Sequence, residues 1–248
     1  MDSAPTIQPV SQSPSEQARR LFAGLAAALF DLDNTLIETH IDFPGMKREM
    51  LALVGRYGLD PAPLAAFDIL GVVEAACQAL ESAGRAPEVE RLRAEAFARL
   101  AEIETAACAA PVEMEGAAEL LELLRARGVP VAIVTRNCRT VSERLLAHGR
   151  LSCDALLTRD DVARVKPHPD HLRAALAALA RKQGVQVLPP QASLMAGDHW
   201  MDVAAGQAAG LRTIGLRRNR PPEFFADAMP DLLVNDMAEL WTLAREGA

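Results

Sequence analysis

Hydrophobic positions follow two different rhythms along this chain. A short apolar run at 25–30 breaks off abruptly at Asp31, and further short runs recur at 129–134, 155–157, 192–196, 213–216 and 232–234. Runs of this length, bounded by polar residues, predict strands buried on both faces. Helical patterns fill the intervals, at 116–127, 141–148, 169–183, 202–209 and 237–246, and a short helix is expected at 16–24. Gly128 stops the first of these, and Pro169 sits in a first turn where its missing N–H costs nothing. Such alternation predicts an α/β fold, a Rossmann-like parallel sheet core with helices on both faces.

Residues 43–110 break the rhythm. They carry no strand signal and predict helices at 45–57, 61–82 and 87–109, separated at Gly58, at Pro61-Ala62-Pro63 and at Gly84 to Pro87. Val89, Leu92, Ala96, Leu100 and Ile103 recur at three- and four-residue steps, which makes one apolar stripe on the last helix. The expected division is a core of 17–40 plus 111–248, a helical cap inserted at 41–110, and a Ser-, Pro- and Gln-rich disordered tail at 1–16.

Composition adds limits. Half of the 248 residues are hydrophobic but only 4% are aromatic, so alanine and leucine build the core and favour helix. A net charge of -7 argues against a nucleic-acid or anionic-membrane surface, though not against an anionic substrate held in a local positive pocket. No apolar run approaches a membrane span, and the first residues lack the basic start and apolar core of a signal peptide. Cys77, Cys108, Cys138 and Cys153 show no C-x-x-C pairing, so reduced thiols and a cytoplasmic location are expected. The stripe on the last cap helix is compatible with a monomer or a homodimer.

The candidate chemistry lies at four strand ends. They are Asp31-Leu32-Asp33-Asn34-Thr35, then Thr135-Arg136-Asn137, then Lys166 in Val165-Lys166-Pro167-His168-Pro169, and Gly197-Asp198-His199-Trp200-Met201-Asp202. In open α/β sheets ligands bind just beyond the carboxyl ends of strands. Two carboxylates one residue apart at a buried strand end repel unless a cation compensates, which suggests a divalent metal and acid chemistry. Lys166 stands out because lysine occurs only three times, at 47, 166 and 182. Taken singly, Asp33, Thr135 and Asp198 each have an alternative as a cap of a turn, strand or helix.

In that order the four segments resemble the motifs of the haloacid dehalogenase superfamily, and their spacing is similar to its phosphoglycolate phosphatase-like branch. The resemblance implies a Mg²⁺-dependent phosphatase that acts on a small organic phosphate monoester through an aspartyl-phosphate. By it, Asp31 attacks phosphorus, and Asp33 protonates the leaving alcohol and then activates water. Asp31, the backbone carbonyl of Asp33, and Asp198 hold Mg²⁺. Thr135 donates to the phosphoryl group, Lys166 neutralises its charge and that of Asp31, and Asp202 supports Lys166 or a metal-bound water. Arg136 and Asn137 are placed to contact the phosphate or the leaving group.

Within the superfamily, Asp33 argues against dehalogenation, which needs no acid for an alcohol. Lys47, between Arg48 and Glu49 on a solvated helix, is ill placed for the Schiff-base chemistry of phosphonatases. A sugar-phosphate mutase is the alternative enzyme, and a catalytically silent regulatory protein the alternative outside enzymes. Ile41, Phe43 and Met46, where the chain enters the cap, are expected to choose the substrate. His199 and Trp200 are expected in packing or at the surface, and Arg217-Arg218-Asn219-Arg220 in a solvated loop.

Overall fold

The computed structural model describes residues 13–108 and 110–246. Of the expected tail, residues 1–12 lie outside this range. The part within it is helix: α1 (Pro14–Phe22) starts with Pro14 in its first turn and Ser13 as N-cap. Ser13 and Glu16 exchange side-chain and backbone hydrogen bonds in a capping box. The Ser-Pro-Ser-Glu spacing of that box overrides the polar composition that suggested disorder.

Six parallel strands form the sheet: β1 (Ala27–Phe30), β4 (Val131–Val134), β5 (Ala155–Leu157), β6 (Ser193–Gly197), β7 (Arg212–Leu216) and β8 (Leu232–Val234). Their spatial order is β5-β4-β1-β6-β7-β8. The chain therefore builds outward from β1 in one direction through β4 and β5, and in the other through β6 to β8. The switch falls between β1 and β6, where the crevice of a doubly wound sheet opens. Along β1 successive side chains enter opposite cores, as a two-residue period requires. Ala28 and Phe30 pack with α1, α5 (Ala117–Ala126), α6 (Arg139–His148) and α9 (Met237–Glu246). Ala27 and Leu29 pack with α7 (Asp170–Gln183) and α8 (Trp200–Ala209). All four β1 residues are fully buried.

The inserted helices are α2 (Phe43–Arg56), α3 (Ile69–Ser82) and α4 (Ala86–Ala107). They close around their own core, in which Leu92, Ala96 and Leu100 of the expected stripe meet Met50, Val72 and Leu80. The helix expected over 61–82 is split. A 3-10 turn at Pro63–Ala66 ends at Phe67, which is extended, and Asp68 then caps α3 by accepting the Gly71 N–H at 2.9 Å. An aspartate in this position terminates and restarts helix more strongly than the surrounding apolar pattern continues it.

A short antiparallel ribbon, β2 (Ile37–Glu38) with β3 (Val112–Glu113), joins the two chain crossings between the helical insertion and the sheet. Two-residue strands have too few positions to show alternation, so no pattern announced it. Among the described residues no helix is long and apolar enough to cross a membrane.

Arg212 anchors α1 to the sheet. Its guanidinium donates to the carbonyls of Leu21 at 2.7 Å and Ala23 at 2.8 Å, and to that of Gln191 at 3.0 Å. A cation on the last carbonyls of a helix satisfies acceptors that have no intrahelical partner. Arg212→Met, which keeps the stem and removes the donors, is expected to lower unfolding free energy by about 1–2 kcal/mol in urea denaturation. A change within error would show that these bonds are matched by water.

Candidate active site

Asp31 follows β1 directly, its N–H donating to the Ala196 carbonyl at 2.9 Å. Hydrophobic flanks on both faces of the sheet thus drag a carboxylate to the crevice between β1 and β6. The chain then turns sharply. Asn34 adopts φ 58°, in the left-handed region that asparagine tolerates better than most residues, and its N–H donates to the Ile37 carbonyl. This turn brings Thr35 back so that its hydroxyl donates to Asp31 Oδ2 at 3.3 Å.

Lys166 reaches the same point from the other side of β4 with only 1% exposure. Its ammonium donates to Asp31 Oδ1 at 2.7 Å and to the Val134 carbonyl at 2.6 Å, and it pairs with Asp202 Oδ1 at 2.7 Å. Three acceptors match its three protons, so the group is satisfied within the protein. Burial works to strip the proton from Lys166, but Asp202 and Asp31 outweigh it and the pKa is raised. Burial also pushes Asp31 well above the usual carboxylate range, Lys166 opposes this, and Asp202 and Asp198 add to it.

Asp33 is held separately. Its Oδ1 accepts from the Thr39 hydroxyl at 3.0 Å, and its Oδ2 from Asn137 Nδ2 at 2.7 Å and the Thr135 hydroxyl at 3.3 Å. Burial raises its pKa, and these donors limit the rise. Thr135 and Asn137 therefore converge on the second carboxyl here. Thr39, which joins them, carried no signal of its own in the sequence.

Asp198 follows β6 and Asp202 lies in the first turn of α8. Asp31, Asp198 and Asp202 each bring one ligand-type oxygen within 4.8 Å of the others. Asp202 spends both oxygens inside the protein, Oδ1 on Lys166 and Oδ2 on the His199 N–H at 3.1 Å. Asp31 is likewise engaged on both oxygens, by Lys166 and Thr35, and Asp198 on Oδ2 by Arg220. Burial, and then the Asp202 carboxylate, push Asp198 up to about 6 against the pull of Arg220.

Three carboxylates face two cations here, Lys166 and Arg220, which leaves one uncompensated negative charge. The donors are all oxygens, the set that a hard divalent cation such as Mg²⁺ prefers, so the residues fit that ion. Space is tight. A Cβ added at Gly197 would overlap the Asp202 carboxyl.

Arg220 overturns the expectation of a solvated loop at 217–220. Its Nη2 pairs with Asp198 Oδ2 at 2.7 Å, its Nη1 bonds the Asp198 carbonyl, and its guanidinium stacks 4.5 Å from the Phe224 ring centroid. Arg218 pairs with Glu38 at 2.8 Å. A run of arginines reads as a solvated patch in sequence, whereas the buried Asp198 and the half-exposed Glu38 draw Arg220 and Arg218 inward. His199 packs edge-on against Phe224 at 5.1 Å, and burial lowers its pKa to about 4.

The helical insertion meets the core through charge. Arg136 turns toward Asp68 at the start of α3, at 2.7 Å. Glu104 near the end of α4 forms a buried ion pair with Arg159, which also donates to the Arg136 carbonyl at 3.0 Å. Neither Glu104 nor Arg159 belongs to a recognisable motif. A buried glutamate late in the apolar stripe of α4 was the available sign of one. Of the residues expected to choose the substrate, Ile41 and Met46 are buried in the core of the insertion and Phe43 is 41% exposed.

Aspartates and a lysine gathered at the switch point of a doubly wound sheet define a class of α/β proteins that run their chemistry from strand ends. Residues 25–210 match the model described as haloacid dehalogenase-like hydrolase, and the chain belongs to that family. A validoxylamine A 7'-phosphate phosphatase from Streptomyces hygroscopicus is 35% identical over 86% of this chain and 94% of its own length. Pyrophosphatase PpaX of Bacillus cereus is 34% identical over 52% of this chain. The match spans 57% of the pyrophosphatase's length. Among solved structures, a hydrolase from Pseudomonas syringae superposes with a TM-score of 0.58 over 90% of this chain and 98% of its own, at 22% identity.

Two outcomes are expected. His171 is fully buried, and burial followed by Lys166 lowers its pKa to about 3 from 6.5. The unfolded state therefore takes up the proton first. Stability is complete above pH 6.5 and is lost as pH falls toward 3, by at most about 1.4 kcal/mol per pH unit from this group. Melting followed from pH 7 to 4 should show a shallower acid decline in His171→Asn than in the parent, and equal slopes would contradict this. Gly197→Ala should lower activity at least about tenfold, with a melting temperature reduced by several degrees, because Asp202 must leave Lys166. Parent-like activity would mean that Asp202 is not needed there.

Proposed function

We propose that this chain is a Mg²⁺-dependent phosphatase for a small organic phosphate monoester, and that Asp31 is its nucleophile. The observation that carries the reading is the Lys166–Asp31 pair beside an independently held Asp33. Phosphate esters resist attack because their oxygens repel nucleophiles, so catalysis consists mainly of positioning and charge compensation. Lys166 and the Thr35 hydroxyl fix the two oxygens of Asp31, which aims the carboxylate and leaves it little freedom to lose on reaction.

Asp31 attacks phosphorus and the bond to the leaving oxygen breaks. Asp33 gives that oxygen its proton, and burial raises the pKa of Asp33, the direction a general acid needs. The aspartyl-phosphate is then cleaved by water, whose proton returns to Asp33. Thr135 and Asn137 hold Asp33 between the two steps. Asp31, the Asp33 carbonyl and Asp198 would hold Mg²⁺, which would supply positive charge for the phosphoryl oxygens. Residues 41–110 act as the cap over a core of 17–40 and 111–248, tied to it by the Arg136–Asp68 and Arg159–Glu104 pairs.

Phosphate release from an aryl phosphate tests the reading. Wild-type turnover should stop on chelation, and Asp31→Asn should lower it by at least about a thousandfold. Asp33→Asn should cost about a hundred- to ten-thousandfold in turnover with alkyl and aryl phosphates alike, because water activation is lost with both, while the aryl substrate, whose leaving group needs no proton, should still show a burst of phenol release. Turnover that survives in Asp31→Asn would exclude the mechanism.

A further inference from the structure

The segment 135–138, between β4 and α6, carries Thr135 and Asn137, two of the residues that hold Asp33. It is itself held from both parts of the chain. Arg159, in the 3-10 turn after β5, reaches it twice: its backbone N–H donates to the Asn137 carbonyl at 3.2 Å, and its Nη1 donates to the Arg136 carbonyl at 3.0 Å. The same Nη1 also donates to Glu104 Oε1 on α4. Glu104 spends its other oxygen on the segment, accepting the Cys138 N–H at 3.3 Å. The Asn137 carbonyl and the Cys138 N–H belong to one planar peptide unit. That unit is therefore gripped on both edges, by the core on one and by the insertion on the other.

Phe97 lies two turns before Glu104 on the same face of α4, and its ring centroid is 5.6 Å from the Arg159 guanidinium. The Arg159 and Glu104 side chains are 2% and 3% exposed. Desolvation offsets most of what the attraction between two buried charges returns, so apolar residues of the same volume would hold the insertion about as well. They would not supply an acceptor for the Cys138 N–H or a donor for the Arg136 carbonyl. From the gripped peptide the constraint passes on in one step. The Asn137 N–H donates to the Thr135 hydroxyl at 3.1 Å, and Asn137 Nδ2 donates to Asp33 Oδ2 at 2.7 Å. Rotation of the 137–138 peptide would withdraw that donor from Asp33.

We infer that Glu104 and Arg159 are positioning residues for Asp33, so that the inserted helices, through this pair, set the backbone that aims the acid–base carboxyl. This rests on the phosphatase reading and adds how its proton-transfer group is kept in place. Asp31 is held by Lys166 and Thr35, outside the reach of the pair. Attack on phosphorus is therefore independent of the clamp, while the steps that use Asp33 depend on it.

The full-length Glu104→Met/Arg159→Met protein tests this, because the paired change removes the clamp, nearly keeps the volume and strands no charge. An aryl phosphate separates the two halves of the reaction, since its leaving group needs no proton from Asp33. Rapid-quench kinetics should show a first release of phenol within about twofold of the parent rate, while steady-state turnover falls about tenfold or more. With an alkyl phosphate the first turnover should fall as well, at a KM within about twofold of the parent. First and later turnovers of the aryl substrate that fall together, or that both stay at the parent rate, would overturn the inference and leave the phosphatase standing. Arg159→Lys keeps the charge pair but not the reach of the fork to the Arg136 carbonyl. It should give the same split at about threefold or more, and it decides the matter if the paired change does not fold. A parent that hydrolyses no phosphate ester contradicts the phosphatase, and amide hydrogen exchange then reads the clamp directly. Exchange at Asn137 and Cys138 should be about tenfold or more faster in the variant with β4 unchanged, and equal rates would overturn the clamp.

Discussion

The structure depends most on one buried ammonium. Lys166 lies where β1, β4 and α8 meet, and its three protons go to Asp31, Asp202 and the Val134 carbonyl. Taking a lysine out of water is costly unless charge and hydrogen bonds replace the solvent, and here both do. The arrangement fixes three separate chain segments relative to one another. It also makes Asp31 tolerable at the end of a hydrophobic strand, with Asp202 buried beside it. Removal of the ammonium would leave Asp31 and Asp202 buried and unpaired, so the same contact that prepares the site also holds its walls together.

Around that contact the charges are divided by role. Asp33 is kept off the lysine and surrounded by neutral donors, Thr39, Thr135 and Asn137, so that burial can raise its pKa. Asp198 is paired with Arg220, which offsets part of the negative charge near the candidate metal position. The inserted helices are attached by the Arg136–Asp68 and Arg159–Glu104 ion pairs and by apolar packing of Ala101 and Cys108 against the sheet core.

Much of this was legible in the chain. Apolar runs that end in Asp31, Thr135 and Asp198 located the sheet and the edge that carries the candidate site, because a strand buried on both faces leaves polar residues no other exit. The helical insertion was equally plain from the loss of the two-residue rhythm. What escaped had physical reasons. Thr39, Glu104, Arg159 and Arg220 act through contacts that span 6, 55 and 22 residues, and spacing along a chain says little about them. Asp68 broke a helix that hydrophobic pattern alone would have continued. Arginines next to buried carboxylates turned inward although their local sequence reads as solvated loop.

The central claim is that Asp31 becomes covalently phosphorylated. Borohydride quenching during turnover of a phosphate ester reduces an aspartyl-phosphate to homoserine, and peptide mass spectrometry locates the altered residue. Homoserine at position 31, absent when Mg²⁺ is chelated, is the predicted result. Steady turnover with no homoserine at position 31, or with it at another aspartate, would contradict the account.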